Sequence, residues 1–218
     1  MTTIKKNDFI ELEFTGKANN EIFDTTNKEE AKQMGLDADV KPVVISVGNH
    51  MVLKGFDDAL EGKEIGKKYT ITLKPEQAFG KRNPSMVKII PMRIFKEKNI
   101  YPVPGMTLHL DQYVVRVLSV SGGRVNVDFN NPLAGKEITY EFTPTKIIND
   151  NKERIDALQD FFFRQRFEFE IKDKKVIFKE EKIKPFIEMF KDKFKEMTGL
   201  EFEVEEKKES KPEVEKKK

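Results

Sequence analysis

The sequence predicts an α+β protein whose sheets are antiparallel and whose helices are few and short. Two observations support this class. Segments of four to eight residues in which apolar and polar positions alternate recur along most of the chain, whereas helical spacing of apolar residues is confined to short stretches. In addition, the last strand of the first predicted sheet is separated in the sequence from the other strands of that sheet by a further group of strand-like segments. With 218 residues, the chain has room for one large domain or two to three small ones.

The first part of the chain alternates between strands and short helices. Residues 8–14 alternate, with Ile10, Leu12 and Phe14 on one face, and predict the first strand; a second extended piece begins at Ile22. Helical patterns follow at 28–34 and 53–61, where glycines come directly after the last apolar positions. Residues 43–47 and 68–73 predict further strands.

The strand that should complete this sheet arrives only at residues 136–143. The intervening segment 84–129 is itself strand-like, with alternating runs at 106–110, 113–120 and 124–129. The apolar segment before these runs is punctuated by Pro91, which predicts an irregular or unpaired sheet edge. We therefore expect an inserted, mostly-β domain.

A third unit follows residue 150. Helical spacing at 151–166, a hairpin formed by 167–171 and 175–179, and an amphipathic helix at 185–197 predict a small α/β domain. The apolar face expected for the last helix comprises Phe186, Met189, Phe190, Phe194 and Met197. The charged, low-complexity segment 211–218 predicts a disordered tail.

Composition excludes several classes of function. The net charge is +2, from 40 basic and 38 acidic residues, which disfavours a dedicated nucleic-acid binder. Cysteine is absent and histidine occurs twice, so thiol catalysis, thiolate metal sites and histidine-rich metal clusters are excluded; neither a metal nor a cofactor is expected. No long apolar segment indicates a leader or membrane span, and a cytoplasmic location is expected.

A set of short motifs occurs in a fixed order between residues 12 and 80. The motifs are Leu12-Glu13-Phe14-Thr15-Gly16, Phe23-Asp24, Val47-Gly48, Val52-Leu53-Lys54-Gly55-Phe56, Ala59-Leu60, Gly66 and Ala78-Phe79-Gly80. The set resembles the FKBP-type peptidyl-prolyl cis-trans isomerases. The segment 131–136 is similar to the point where the chain re-enters the domain in SlyD-like members, which carry an extra domain inserted in the flap. Residues 151–218 resemble the C-terminal addition of archaeal long-type members.

The resemblance implies a half-barrel of antiparallel strands around one short helix. It assigns residues 1–83 and 130–150 to the FKBP domain, 84–129 to an insert-in-flap chaperone domain and 151–210 to a C-terminal α/β domain. The implied activity is isomerisation of X–Pro bonds, and the implied partners are unfolded or proline-containing polypeptides.

The resemblance also implies a proline-sized pocket. Phe56 takes the place of the aromatic residue on the pocket floor, and the main chain of Val52 and Leu53 contacts the substrate. The pocket wall, polar corner and last strand are supplied by Phe23, Asp24 and Tyr140. Phe14 and Phe79 stand where the family commonly has Tyr, so each lacks a hydroxyl. The expected catalytic residues are Asp24, Phe56, Phe79 and Tyr140; the expected substrate-binding residues in the pocket are Phe14, Phe23, Val52 and Leu53.

Alternatives accompany several of these assignments. Asp24 has a structural alternative, an Asx-type turn contact with Thr25 or Thr26. Chain capture by the insert would use apolar residues, namely Ile89, Ile90, Met92, Ile94, Tyr113 and Val115, about half of which are expected to form the core of the insert instead. A holdase with a weak or inactive pocket is the alternative function, because Phe14 and Phe79 lack hydroxyls.

Oligomerisation is a separate expectation. Ten of the 18 Phe residues follow residue 150, and a small unit has difficulty burying that many aromatic side chains alone. These residues predict core packing together with a self-association surface, and hence a homodimer through the C-terminal domain.

Overall fold

The first part of the molecule is a sheet that packs against a short helix. A computed structural model describes residues 2–35, 40–110 and 112–205 of the chain. The elements of this part are β1 (Phe9–Ala18), β2 (Glu21–Thr25), α1 (Lys28–Gln33), β3 (Val43–Ser46), α2 (Lys54–Leu60) and β4 (Tyr69–Leu73). The alternation seen in the sequence has its expected effect, because Ile10 and Leu12 of β1 are fully buried.

The chain then forms a separate four-stranded sheet. Its elements are β5 (Val87–Pro91), α3 (Met92–Glu97), β6 (Thr107–Leu110), β7 (Tyr113–Ser121) and β8 (Arg124–Asp128), and the strand order is β5-β8-β7-β6. Helix α3 is not predicted from the sequence. Pro91 adopts φ −60° at the N-cap of α3, a value that proline favours and that lets the helix begin at the next residue. Phe95 of α3 is buried against the valines of the sheet.

The strand β9 (Ile138–Ile147) returns to the first sheet. It pairs antiparallel with both β1 and β4, giving the order β2-β1-β9-β4, while β3 pairs with the first half of β1. The α+β class with antiparallel sheets is therefore confirmed, and the strand that follows the insert is central to the first sheet.

The last unit combines two helices with three short strands. Its elements are α4 (Asn151–Phe162), β10 (Phe169–Lys172), β11 (Lys175–Phe178), α5 (Lys184–Thr198) and β12 (Glu201–Val204). β10 and β11 form an antiparallel hairpin, whereas β12 pairs parallel with β11. α5 ends at Gly199, which adopts the left-handed conformation that glycine allows at a helix C-terminus.

The apolar face predicted for α5 requires a correction. Met189 is 75% exposed, whereas Ile187, Phe194 and Met197 are buried. The buried stripe passes through Ile187 because the helix turns about 100° per residue, and Ile187 lies seven residues before Phe194. Phe186 and Phe190 are half-buried at the border of the stripe.

Two hydrophobic cores hold these units. One continuous cluster joins the first sheet and α2 to α4, α5 and the strands of the last unit, and a second cluster lies inside the insert. Most of the C-terminal Phe residues pack into the first cluster, either buried or half-buried. None of the helices in the described ranges has the length and apolar character needed to cross a membrane. The predicted disordered tail, 211–218, lies outside the described residues.

Candidate functional site

The five aromatic residues expected to form the pocket lie together in one cup. The Phe56 ring stacks on the Tyr140 ring at 4.3 Å between centroids, and Phe14 meets both rings edge-on at 5.8 Å. Phe23 bridges to Phe79 at 5.7 Å and to Tyr140 at 6.0 Å. These separations lie in the range of favourable aromatic pairs, so the rings support each other's orientation.

Strand register places the walls of the cup. Gly16 of β1 is opposite Asp24 of β2 on one side and opposite Tyr140 of β9 on the other. A Cβ atom at Gly16 would lie 2.8 Å from both Phe23 Cζ and Tyr140 Cε1. The Phe23 and Tyr140 rings therefore occupy space that only a glycine leaves free. The sequence analysis identified Gly16 as part of a motif but not as a residue of the site.

The floor of the cup comes from α2 and the loop before it. Phe56 is almost fully buried on α2, while Val52 and Leu53 are half-buried and line the cleft directly before the helix. The buried Asp57 carboxylate fixes this loop, accepting hydrogen bonds from the Gly48 N–H at 2.8 Å and the His50 N–H at 2.7 Å. Asp57 is a second supporting residue that the sequence analysis missed. The sequence signal for such a carboxylate is an acidic residue that directly follows the aromatic residue of the floor and lies on the inner face of the helix.

Asp24 and Tyr140 form the polar corner of the cup. Burial raises the pKa of the Asp24 carboxyl, and a hydrogen bond with the Thr25 backbone lowers it by a smaller amount. Asp24 lines the cleft together with the aromatic residues of the cup. Burial, followed by the nearby charge of Asp24, raises the pKa of Tyr140 well above its ordinary value, so its hydroxyl keeps its proton.

Threonine hydroxyls hold the β1–β2 corner in place. The Phe14 N–H donates to Thr26 Oγ1 at 2.8 Å, and the Thr26 N–H donates to the Phe14 carbonyl at 2.9 Å. Thr25 Oγ1 donates to the Glu30 carboxylate of α1 at 2.7 Å. Since Thr25 follows Asp24 directly, these bonds fix the backbone that carries the polar corner.

The cup opens into a longer cleft with a volume of about 1170 Å³. Beyond the aromatic residues, its lining continues along residues 40–45 and reaches the side of α4 at Glu153, Asp156, Ala157, Asp160 and Phe161. No local pattern predicts this wall, because α4 begins 71 residues after Gly80, the last residue of the cup motifs.

The four insert residues proposed to bind substrate divide into two pairs. Ile89 is 62% exposed and Ile94 is 42% exposed, whereas Ile90 and Met92 pack against the core of the insert. Of the two further candidates, Tyr113 is exposed and Val115 is buried. Within the described ranges, His, Asp and Glu side chains form no group of three or more that could hold a metal ion.

Comparisons with known proteins match two segments of the chain. Residues 1–96 match the family model for FKBP-type peptidyl-prolyl cis-trans isomerase, and residues 88–133 match a model described as FKBP26, IF domain. The second match falls on the inserted sheet.

Related proteins carry similar names. A short-type peptidyl-prolyl cis-trans isomerase of Methanocaldococcus jannaschii is 29% identical over 140 residues, which cover 63% of this chain and 89% of that protein. A probable FKBP-type 16 kDa peptidyl-prolyl cis-trans isomerase of Pseudomonas fluorescens is 34% identical over 116 residues, covering 47% of this chain and 71% of that protein. The isomerase SlyD of Vibrio cholerae is 34% identical over 97 residues, covering 43% of this chain and 48% of that protein.

Proposed function

This chain belongs to the family of FKBP-type peptidyl-prolyl cis-trans isomerases, and from that premise we propose how it binds and isomerises its substrates. The aromatic cup takes a prolyl residue and favours its twisted state, and the inserted sheet holds unfolded chains near the cup. The cup of five aromatic side chains, with Asp24 in its lining, is the observation that carries the proposal.

The chemistry requires neither a nucleophile nor a change in covalent bonds. Rotation about an X–Pro bond must break amide resonance, at a cost of about 18–20 kcal/mol. The twisted imide is less polar than the planar one, so an apolar cup stabilises it relative to water. An interaction that is stronger in the twisted state than in the planar state accelerates the rotation. Phe14, Phe23, Phe56, Phe79 and Tyr140 supply the apolar wall, and Asp24 orients the polar side of the substrate.

The insert presents an apolar outer face to solvent. Eight of the ten exposed large hydrophobic residues in the described ranges belong to it, namely Ile89, Ile94, Tyr101, Val103, Met106, Tyr113, Val114 and Leu118. On β7, Val115 and Val117 point into the core, so Val114 and Leu118 lie on the opposite face. Apolar surface that is concentrated in one unit is typical of an interaction site.

Chain capture is also supported by the open edges of this sheet. Within the described ranges, β5 pairs only with β8, and β6 pairs only with β7. An extended segment can add to such an edge through main-chain hydrogen bonds, which place little restriction on its sequence. We therefore propose unfolded or proline-containing polypeptides as the partners of the insert.

The experiment compares a short prolyl peptide with a protein whose refolding is limited by proline isomerisation. We expect activity on both substrates and a strong preference for the protein. Replacing residues 84–129 by a short loop should abolish this preference while sparing peptide turnover. A finer variant replaces Ile89, Val114 and Leu118 by Ser; its matched control replaces Ile171 and Met189, the exposed hydrophobic residues outside the insert, by Ser.

The two variants should give different results. The insert variant should lose roughly tenfold in refolding activity, because each side chain loses part of its apolar burial on the client, while the control should retain its activity. A short peptide that is not isomerised above background would contradict catalysis by the cup. It would favour the alternative function, a holdase with an inactive pocket, to which the missing hydroxyls at Phe14 and Phe79 point.

We further propose that the chain forms a homodimer through the C-terminal unit. The aromatic residues of this unit are not themselves an exposed patch, because they pack into the main core. The support lies instead in the exposed Met189 of α5 and in β12, which pairs only with β11 in the described ranges.

A further inference from the structure

We propose that α4 forms a second substrate subsite, which takes an apolar or aromatic side chain of the polypeptide several residues from the isomerising proline. The inference rests on the proposed function, because the subsite lies in the same cleft as the aromatic cup. It gives the C-terminal unit a role in selecting substrate that is independent of oligomerisation.

The cleft is larger than a single prolyl residue requires, and it is continuous from the cup to α4. Its volume is about 1170 Å³, which is above the range of about 300–1,000 Å³ for pockets that enclose a small ligand. One end is the cup, with Phe56 and Tyr140, and the other end is lined by Ala157 and Phe161 of α4. A single prolyl residue fills only the first end, so the remaining length is available to the chain attached to it.

The α4 wall is firmly attached to the first sheet. Ile155 and Leu158 are buried in the core cluster that the two units share. Arg154 Nε donates to the Ile148 carbonyl at 2.8 Å, and its guanidinium lies 5.5 Å from the centre of the Phe9 ring. A wall that is already ordered costs little conformational entropy when substrate binds.

The floor of this end of the cleft is apolar. Phe161 and Ala157 face it from α4, and Val43 and Val44 line it from β3. Phe161 is half-buried and packs edge-on against Phe162 at 4.9 Å, so its ring is held in place. An aromatic ring held in a half-buried position is a frequent anchor point in binding sites.

The carboxylates on the rim of the same end are paired within the protein. Arg166 contacts Asp160 at 2.6 Å and Asp156 at 3.4 Å, and Lys146 lies 4.0 Å from Glu153 and 3.4 Å from Glu11. Because these carboxylates already have cationic partners, a basic side chain on the substrate gains little there. The chemistry of the site therefore favours an apolar side chain over a basic one.

The occupant follows from the continuity of the cleft. An extended chain advances about 3.3 Å per residue, so residues a few positions from the proline reach the α4 wall once the proline sits in the cup. Their binding is then intramolecular and benefits from a high effective concentration. Contacts made equally in the planar and twisted states lower KM and leave kcat unchanged.

The experiment uses the full chain, one short prolyl peptide and two matched sets of longer peptides. The longer peptides place Phe in one set, and Ser in the other, at one position at a time along the residues that flank the same proline. We expect the best Phe-flanked peptide to have a KM about five- to tenfold below that of its Ser counterpart, with the same kcat. Phe161→Ala should remove this difference. Phe186→Ala is the matched control, since Phe186 belongs to the aromatic cluster of the same unit without lining the cleft.

Two further measurements keep the test decisive. Val44→Thr places a hydroxyl in the floor from the opposite wall and should also weaken the Phe preference, even if Phe161→Ala unfolds the C-terminal unit. Peptide affinity, read separately by fluorescence anisotropy, should follow the KM values. Equal KM values for the Phe and Ser peptides, or equal losses in Phe161→Ala and Phe186→Ala, would overturn the subsite. A chain that fails to turn over even the short peptide would refute the proposed catalysis, and the affinities would still decide on the subsite.

Discussion

Replacing Gly16 by Ala should distort the aromatic cup more than it destabilises the fold. The added Cβ would lie 2.8 Å from Phe23 Cζ and Tyr140 Cε1, closer than Cβ atoms approach carbon atoms in folded proteins. Neither ring can simply swing away. Tyr140 is stacked on Phe56 at 4.3 Å, and Phe23 is packed against Phe79 at 5.7 Å. The two rings must therefore move apart, and the Asp24–Tyr140 corner must widen with them.

The expected magnitude follows from the kind of strain. Overpacking by one methyl group costs about 1–3 kcal/mol, and the lower entropy of the unfolded alanine chain offsets roughly 0.4–1 kcal/mol. A net cost of about 1–2 kcal/mol corresponds to a factor of roughly 5–30. Because the strain falls on the rings that we propose bind the twisted imide, we expect kcat/KM for a short prolyl peptide to fall by about this factor.

Gly62→Ala provides the matched control. Gly62 has φ +80° and no atom within 4 Å of a built Cβ, so alanine there costs about 1–2 kcal/mol of backbone strain without touching the cup. The two variants should have similar midpoints of thermal unfolding. Peptide turnover, measured well below those midpoints, should fall in Gly16→Ala alone. Wild-type turnover in Gly16→Ala, or an equal loss in both variants, would refute the assignment of Gly16 to the cup.

Three further predictions concern the junction, the polar corner and assembly. Arg82 donates to Asp128 Oδ2 through Nε at 3.1 Å and Nη2 at 2.6 Å, at the point where the chain enters and leaves the insert. Arg82→Ala should therefore lower protein refolding activity several-fold, while peptide turnover stays within about twofold of wild type. Arg93→Ala, which breaks an exposed pair with Glu97 inside the insert, should change neither activity. Because burial raises the pKa of the Asp24 carboxyl, ionisation of this group opposes folding. As the pH rises from below the ordinary Asp value of 3.8 through the raised pKa, wild type should lose stability relative to Asp24→Asn. Denaturation at several pH values measures this difference. Light scattering at micromolar concentration should give twice the mass of one chain, and a monomeric mass would exclude the proposed homodimer.

Local sequence rules predicted most elements of the fold, because the spacing of apolar residues in each alternating or helical run matches the face that the element buries. Helix α3 was missed because six residues between a proline and a lysine-rich turn are too few to establish a helical period. Met189 lies outside the buried stripe, although it falls three residues after Phe186, because the stripe is centred nearer Ile187. Helix α5 is only about four turns long and rich in charged residues, so a single wrongly assigned residue rotates the predicted apolar face.

The site could be predicted to the extent that its residues lie in short, ordered motifs. Phe23, Asp24, Val52, Leu53 and Phe56 are of this kind. Gly16 and Asp57 act through neighbours, so their roles emerge only when strand register and loop hydrogen bonds are known. The α4 wall depends on how the last unit packs against β3, and no local pattern in the sequence encodes such a long-range contact.

The polar corner of the cup bears on whether the loss of two hydroxyls weakens catalysis. Among the five aromatic residues of the cup, Tyr140 alone retains a hydroxyl, and it lies close enough to Asp24 for the carboxylate charge to raise the pKa of Tyr140. Gly16 stands between the two in the sheet and leaves room for both. A hydroxyl on β9 therefore supplies a donor near Asp24 that Phe14 on β1 cannot. Because β9 follows the insert, a short loop that replaces residues 84–129 must still return β9 to its place between β1 and β4 for this corner to form.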